Sequence, residues 1–533
     1  MQVAICSYMK KSIKALTFIY CILMFTFFLF YIENAYFNIT VAKYRCFSTL
    51  TFVYTVLSII CGSVYLFFHS ASQKKIKNFL KSLSVSDWSM LVLLMSNTIT
   101  TLLSEDLQAS LLGSWGRSAG LNFTVLLCVM YFLVSRTLSH MRIVLHVFLG
   151  SSFLVGLLGV WNALGYDPFH FFESVNEAEV HWFLSTVGNI TFFAHLFCLS
   201  LPLAVGLFLK EEQRYKSFGY AGWCWFGFTA IIISNIDGAY LGIAAFMAYY
   251  LWQSCTSREN LKKFLIISLI ALGSFKLLAA ITLFNDYLTF DGISEVLVHS
   301  SFIWILIGMI IILLLFMKYF PEKVESLPYY KIRTGLFISM ASIVILLFLS
   351  IVYFTWIDTR SSLNGWENYL RFNNSWGHER GYLWKTLSSG FLNSYSFTEQ
   401  LFGKGLDCTR LILASIIDHP ATAIYYDHAH NEYLQYLVTS GIIGLFAYLS
   451  VLGSCLIRLI KKHRLPYASM FVAVLLAHGA QALTGLNQPI TTPLLFLLLA
   501  IMENMIIDAD KCSQTHKNEN GKIDCHCLSE FKQ

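Results

Sequence analysis

The sequence predicts an all-α integral membrane protein. The reading gives about fourteen transmembrane helices (a range of twelve to fourteen), both termini cytoplasmic and one large outer loop. Three observations predict it. Of 533 residues, 56% are hydrophobic and only 13% charged. That is about half the charge of an ordinary soluble domain, too little polar surface to cover a water-soluble particle of this size. The apolar residues fall into runs close to the roughly 20 residues that cross a bilayer. Lys and Arg alternate between successive connecting segments, as they do when a chain is threaded by the positive-inside rule. The same composition excludes a disordered chain, a coiled coil and a disulfide scaffold. The net charge of +6 does not signal nucleic-acid binding, because its distribution tracks the membrane.

In chain order the candidate spans are 13–32, 48–68, 86–103, 119–138, 143–163, 189–209, 218–234, 238–254, 264–284, 298–317, 334–356, 434–457, 466–484 and 490–507. Single Ser, Thr or Gly residues interrupt many of them, which span helices tolerate. The pair 218–234 and 238–254 is the shortest and most closely spaced. No cleavage pattern follows the first run, so it is expected to be retained rather than removed as a leader. With the N-terminus inside, 27 of the 37 Lys and Arg residues fall in inner segments, nine in outer segments, and Lys276 within a span. Four units follow: spans one to eleven over 1–356, an extracytoplasmic loop over 357–433, the last three spans over 434–507, and a polar, disordered cytoplasmic tail over 508–533.

The loop 357–433 carries six of the nine outer positive charges, together with Trp366, Trp376 and Trp384. Aromatics at that density mark a folded segment, and the inner loops are too short to hold a catalytic unit, so any chemistry is expected outside. Outer loops 164–188 and 285–297 hold only acidic charges. The 13 Cys residues mostly sit singly in spans, where Cys packs as a small hydrophobe. Cys46 and Cys408 are expected to face outward. In the tail, Cys512, Cys525 and Cys527 with His516 and His526 fit no standard zinc spacing. No metal and no cofactor is expected.

The loop ends in Tyr425-Tyr426-Asp427-His428-Ala429-His430-Asn431-Glu432-Tyr433-Leu434. Asn431 is placed to cap the following helix, and Glu432 in its first turn suits the positive helix end. His430 then stands just ahead of a helix start, where anions are favoured and a neutral imidazole can take a hydroxyl proton. The bland alternative is that His428 and His430 are interfacial residues bonded to loop backbone. Upstream, Arg380, Trp384 and Leu387 share a helical spacing, predicting a short amphipathic helix lying on the membrane and ending near Gly390. An Arg there is suited to bidentate phosphate binding; the alternative is a headgroup anchor. Gly403-Lys404-Gly405 reads as a tight turn whose amides could meet an anion. After the motif, Gly441 and Gly444 provide a smooth face for close helix approach.

In this order, these residues resemble the O-antigen ligase and polymerase family of bacterial membrane glycosyltransferases. The resemblance covers about residues 370–450 and rests on Arg380 with Trp384, Gly403 with Gly405, the run from His428 to Leu434, and Gly441 with Gly444. Weaker likeness extends to Arg117 with Gly120-Leu121, to Gly188-Asn189, and to Ser234–Ala239. At that last site the family commonly carries an Arg associated with the lipid diphosphate, and this chain has Asp237.

The resemblance implies transfer of a glycan from a polyprenyl-diphosphate donor to a hydroxyl of a glycan, glycolipid or other acceptor. The reaction would occur at the outer face of a bacterial cytoplasmic membrane, in cell-surface polysaccharide biosynthesis. His430 is the first candidate for the proton acceptor and His428 the second. Arg380 is the candidate for the leaving diphosphate. Arg117, Arg371, Lys404, Asn431 and Tyr433 are candidate substrate-binding residues, and Arg117 or Arg371 could replace the family Arg.

A polymerase of the same family would need the same chemistry. A lipid-linked oligosaccharide flippase or other transporter is the reading of another class, but it would concentrate polar residues at the midplane. Glu105 with Asp106 could serve a metal-dependent transferase. Asp508 and Asp510 read as a solvated helix end. Lys276, His146, His195 and Glu503 lie within or near spans, where function and interhelix bonding are both open.

Overall fold

Runs of Leu, Ile, Phe and Val at the length of a bilayer become helices because every backbone polar group is then bonded within its own segment. The computed structural model describes residues 2–68, 82–114, 116–173, 175–417 and 426–517. The inner-loop residues Lys74, Lys75, Lys77 and Lys81 and the tail residues Cys525, His526 and Cys527 lie outside them. Among the described residues, eleven helices of 17 residues or more precede the large loop: α1 Gln2–Phe25, α2 Ile39–Phe68, α3 Val85–Leu103, α4 Leu121–Thr137, α5 Met141–Ala163, α6 Ile190–Lys210, α7 Arg214–Ile233, α8 Asp237–Ser254, α9 Arg258–Ile281, α10 Phe302–Tyr319 and α11 Tyr329–Val352. Within the loop stand α12 Trp376–Asn393, α13 Phe397–Phe402 and α14 Thr409–Ile416, and after it α15 Glu432–Lys461, α16 Ala468–Gln481 and α17 Thr492–Lys517. The sheet among the described residues is one short antiparallel pair, Phe183–Leu184 with Gly188–Asn189.

A helix stands at each predicted span. Among the described residues nine are long and apolar enough to cross a membrane: α1 with its continuation to Phe30, α2, α5, α6, α9, α10, α11, α15 and α17. The other five differ for physical reasons. α4 and α16 are only 17 and 14 residues long. α3 carries Ser96, Asn97, Thr98, Thr100 and Thr101 in its last turns, α7 begins with Arg214, Lys216 and Ser217, and α8 starts on Asp237 and ends in Gln253 and Ser254. The expected tail is also shorter than its composition suggested, because α17 runs on to Lys517. Asp508 and Asp510 pair there with Lys511 and Lys462, as a solvated helix end would.

The helices divide by burial. In α6 and α17, 89% and 83% of the apolar window is buried, against 11% in α10 and none in α11. Phe337, Ile338, Val344 and Phe348 of α11 all point away from protein, a surface that only lipid can solvate without cost. At the centre, α5 approaches α6 closely because Gly156 and Gly159 leave room for Phe197 and Phe193.

The loop builds a small core of its own. Leu383 and Leu387 of α12 bury against Ile412 and Leu413 of α14 and Ala429 and Val438 near the start of α15. This corrects the expectation of a helix lying on the membrane. The apolar stripe of α12 is real, but it is covered by the loop's other helices, and α12 runs past Gly390 to Asn393. Cys46 and Cys408 are likewise buried, not outward-facing, and both thiols are free.

Two glycines seat this unit on the bundle. Gly441 interrupts α15 with φ +69°, and Gly403 has φ +77°. A side chain on Gly403 would strike the backbone of Thr439 and Ser440, and one on Gly441 the backbone of Leu401 and Phe402. Gly444 lies beyond the break and faces Ser96 of α3.

Candidate active site

The segment Asp427–Asn431 is held from three sides. Asn431 is extended, and its Oδ1 accepts the Leu434 N–H at 3.0 Å, the cap its position predicts. The buried Ala429 donates its N–H to Gln435 Oε1 at 2.9 Å and accepts from Trp384 Nε1 at 2.9 Å. Gln435 is braced in turn by donating to Thr409 Oγ1 at 2.7 Å. α12, α14 and α15 thus converge on the smallest residue of the motif, and the two histidines diverge from it with their rings 6.2 Å apart and nearly perpendicular. His430 takes a left-handed backbone, φ +48°, and its N–H donates to His428 Nδ1 at 3.1 Å.

His428 is buried and His430 half-buried, so only the second is open to a substrate atom. Burial, then the positive charge of Arg380, and beyond it that of Arg117, hold the His430 imidazole down at about 4, against the opposing pull of Asp427. Burial also pushes His428 well below the usual range, helped by His430 and Arg117. Both rings are therefore neutral near pH 7.

Arg117 sets Nε and a terminal guanidinium nitrogen on one oxygen of Asp427, at 2.7 and 2.6 Å. Arg380 is half-buried at the start of α12; burial works against its charge and the Asp237 carboxylate favours it. Asp237 is itself held, accepting the Tyr369 hydroxyl at 2.8 Å and the Ile293 N–H at 3.1 Å. At the position where the resemblance suggested an Arg, the chain places an acid whose charge favours that of Arg380. The arrangement joins a neutral base with two guanidinium groups, and it can take up a proton beside a bound anion.

The other candidates are differently placed. Arg371 donates to three carbonyls, those of Phe354, Asp358 and Ser361, at 3.2, 3.2 and 2.7 Å; it ties the loop together. Lys404 lies 3.7 Å from Glu399 and 4.9 Å from the Tyr395 ring centre. Tyr433 donates to Gly479 O of α16 at 2.6 Å. Both glycine amides of the Gly403 turn are taken up by protein carbonyls, Gly403 N–H by Glu399 O and Gly405 N–H by Thr439 O. Asp106 caps the short helix Leu107–Leu112 through Ala109 N–H at 2.8 Å. Among the described residues no three His, Cys, Asp or Glu side chains converge as a metal site would.

Three features had no sequence signal. The first is Asp407, buried, accepting the amides of Ser114 and Ala119 at 2.8 and 3.2 Å; burial raises its carboxyl to about 7. The second is Asn97 of α3, which lines a cavity with His428. The third is a hydrogen-bonded chain beneath the motif. Tyr448 donates to Glu432 at 2.8 Å, and His478 Nε2 meets Tyr448 at 2.9 Å. His478 Nδ1 meets His195 Nε2 at 3.0 Å, and His195 Nδ1 meets Thr491 at 2.8 Å. Since Tyr448 gives its proton to Glu432, every link must donate toward Glu432, and both tautomers follow. His195 was visible as an ionisable residue in a span; its partners 283 and 296 positions away were not. The remaining ionisable span residues also make interhelix bonds: Lys276 to Val298 O and Ser300 O, His146 to Tyr220, and Glu503 to Arg458.

Residues 295–449 match the family model described as O-antigen ligase. The match takes in α10 to α14 and the first half of α15, and with them Arg380, His428 and His430. No curated relative matches the chain.

Proposed function

We propose, from the match of residues 295–449 to the O-antigen ligase family model, that the chain transfers a glycan from a polyprenyl-diphosphate donor to an acceptor hydroxyl, in cell-surface polysaccharide biosynthesis. The reaction takes place at the outer face of a bacterial cytoplasmic membrane, which the charge asymmetry of the sequence supports. The observation that carries the reading is a half-buried, neutral His430 just ahead of α15, with the guanidinium of Arg380 in α12 acting on its imidazole.

His430 takes the acceptor proton as the hydroxyl oxygen attacks the anomeric carbon. The bond from that carbon to the diphosphate oxygen breaks, and the leaving group gains charge that Arg380 meets. Arg117 is the second cation, exchanging part of its hold on Asp427 for the phosphate. A bound diphosphate offsets the field of both guanidinium groups on His430. The base therefore gains basicity once the donor is seated, which suits a proton acceptor. Arg371 and Tyr433 act by holding the loop and α16, and Asn431 by capping α15.

The test is transfer from purified lipid-linked glycan to acceptor in the presence of a chelator. His430→Ala is expected to slow transfer by about 10²–10⁴-fold with donor binding retained, and His428→Ala by less. A full rate in His430→Ala, or arrest of the wild type by the chelator, overturns the reading and favours a metal-assisted route at Glu105 and Asp106.

A further inference from the structure

Behind His428 lies a narrow cavity of about 40 Å³ with mixed apolar and polar walls, room for a water molecule or two. Asn97 and Thr124 line it from α3 and α4, Asp407 and His428 from the loop, and Gln435 and Ser440 from α15. Three of these residues carry a buried polar atom with no protein partner: Asn97 Oδ1, His428 Nε2 and Ser440 Oγ. Such atoms are costly to bury unsatisfied.

The donor and acceptor roles are constrained by the neighbours. His428 Nδ1 receives the His430 N–H, so a neutral His428 carries its proton on Nε2 and presents a donor. Asn97 gives Nδ2–H to Thr124 Oγ1 at 3.1 Å, which leaves its carbonyl oxygen as an acceptor. A donor and an acceptor without protein partners, lining one cavity of water size, are what a bridging water needs.

We propose that Asn97 is a positioning residue for the transfer reaction. Through water held in this cavity, its carbonyl oxygen takes the Nε2 proton of His428 and locks the tautomer whose Nδ1 accepts from His430. The left-handed turn that presents His430 depends on that acceptor. If His428 carried its proton on Nδ1, two N–H groups would face each other and the turn would lose its brace. Asn97 touches neither substrate; it acts through His428 on the orientation of His430. The activity arm of this proposal rests on the glycan-transfer reading, whereas the tautomer arm does not.

The test uses the full chain in detergent or nanodiscs, labelled with ¹⁵N-histidine. The two ring nitrogens of a neutral imidazole resonate far apart according to which holds the proton, and the His428 signals are assigned by their loss in His428→Gln. Wild-type His428 is expected as the Nε2–H form near pH 7. Asn97→Leu is expected to shift it toward the Nδ1–H form and to lower kcat about tenfold, the worth of roughly one hydrogen bond, with KM for the lipid donor unchanged. Asn97→Asp, which keeps an acceptor oxygen, is expected to restore the wild-type tautomer. A wild-type His428 found as Nδ1–H overturns the proposal whether or not any variant folds. An unchanged tautomer in Asn97→Leu overturns it too, even if activity falls. Should the wild type transfer no glycan, the spectra still decide the role of Asn97, and only the glycan-transfer reading fails.

Discussion

Arg117 and Asp427 are bound to each other by two guanidinium nitrogens on a single carboxylate oxygen, although 310 positions separate them in the chain. The pair brackets His430 electrically. Arg117 holds its imidazole down and Asp427 pulls it up. Removing Arg117 leaves Arg380 as the one cation opposing Asp427, so the base must become easier to protonate. In Arg117→Gln the acid limb of kcat/KM is expected to move upward from near 4, by up to about one pH unit. A limb that stays in place or moves down would show that Arg117 does not act on His430.

A second pH effect separates free enzyme from complex. kcat/KM reports groups of the free enzyme and kcat those of the complex. His430 sits at about 4 in the free protein because burial and two cations disfavour its charge. A bound diphosphate offsets those cations, so the acid limb of kcat is expected at higher pH than that of kcat/KM. Paired pH profiles at saturating and limiting donor check it, and coincident limbs would place the donor phosphates away from Arg380 and Arg117.

Arg380 carries its charge in a half-buried site, against the cost of burial. A diphosphate calls for a planar fork rather than a point charge. Arg380→Lys is therefore expected to lose most of its transfer activity while still accumulating in the membrane. Near-normal activity in Arg380→Ala would show that its charge does not meet the leaving group.

Gly403 can be tested as the seat of the loop. Its φ is +77°, and an added side chain meets the backbone of Thr439 and Ser440. Gly403→Ala is expected to cost more than about 1 kcal/mol and to lower the thermal midpoint of the purified protein together with its activity. A variant of wild-type stability would mean that α13 and α15 have room to part.

The side of the loop is open to direct labelling. Ser394 is exposed at the end of α12. A cysteine placed there, with the native cysteines removed, is expected to react with an impermeant thiol reagent in intact cells. Protection at 394 with labelling beyond Lys517 would invert the topology.

Hydropathy located the long helices of the described residues, since a run of Leu, Ile and Phe has one low-cost arrangement in a bilayer. It did not separate helices that cross outright from shorter or more polar ones, because α3 and α8 owe their place to partners that no local pattern encodes. Spacing found the apolar face of α12 but not its cover, since lipid and Ile412 look alike to Leu387. In the site, local rules worked where the partner was local: Asn431 caps Leu434 three residues on. They were silent where the partner was distant. The carbonyls that occupy Arg371, the Asn97 that shares a cavity with His428, and the amides that hold Asp407 follow from tertiary packing alone.

The chain from Thr491 to Glu432 has one further consequence. Its four links join α6, α15, α16 and the loop entering α17, and all its donors point one way. No member can be turned around singly; reversing one link demands that the rest reverse with it. The Glu432 N–H is also tied to Ala482 O at 2.9 Å. α15 therefore cannot slip by a residue or roll about its axis without unlocking a whole row of protons at once. The histidine motif sits on the first turn of that helix, so it is keyed to the bundle as a tooth is to a gear.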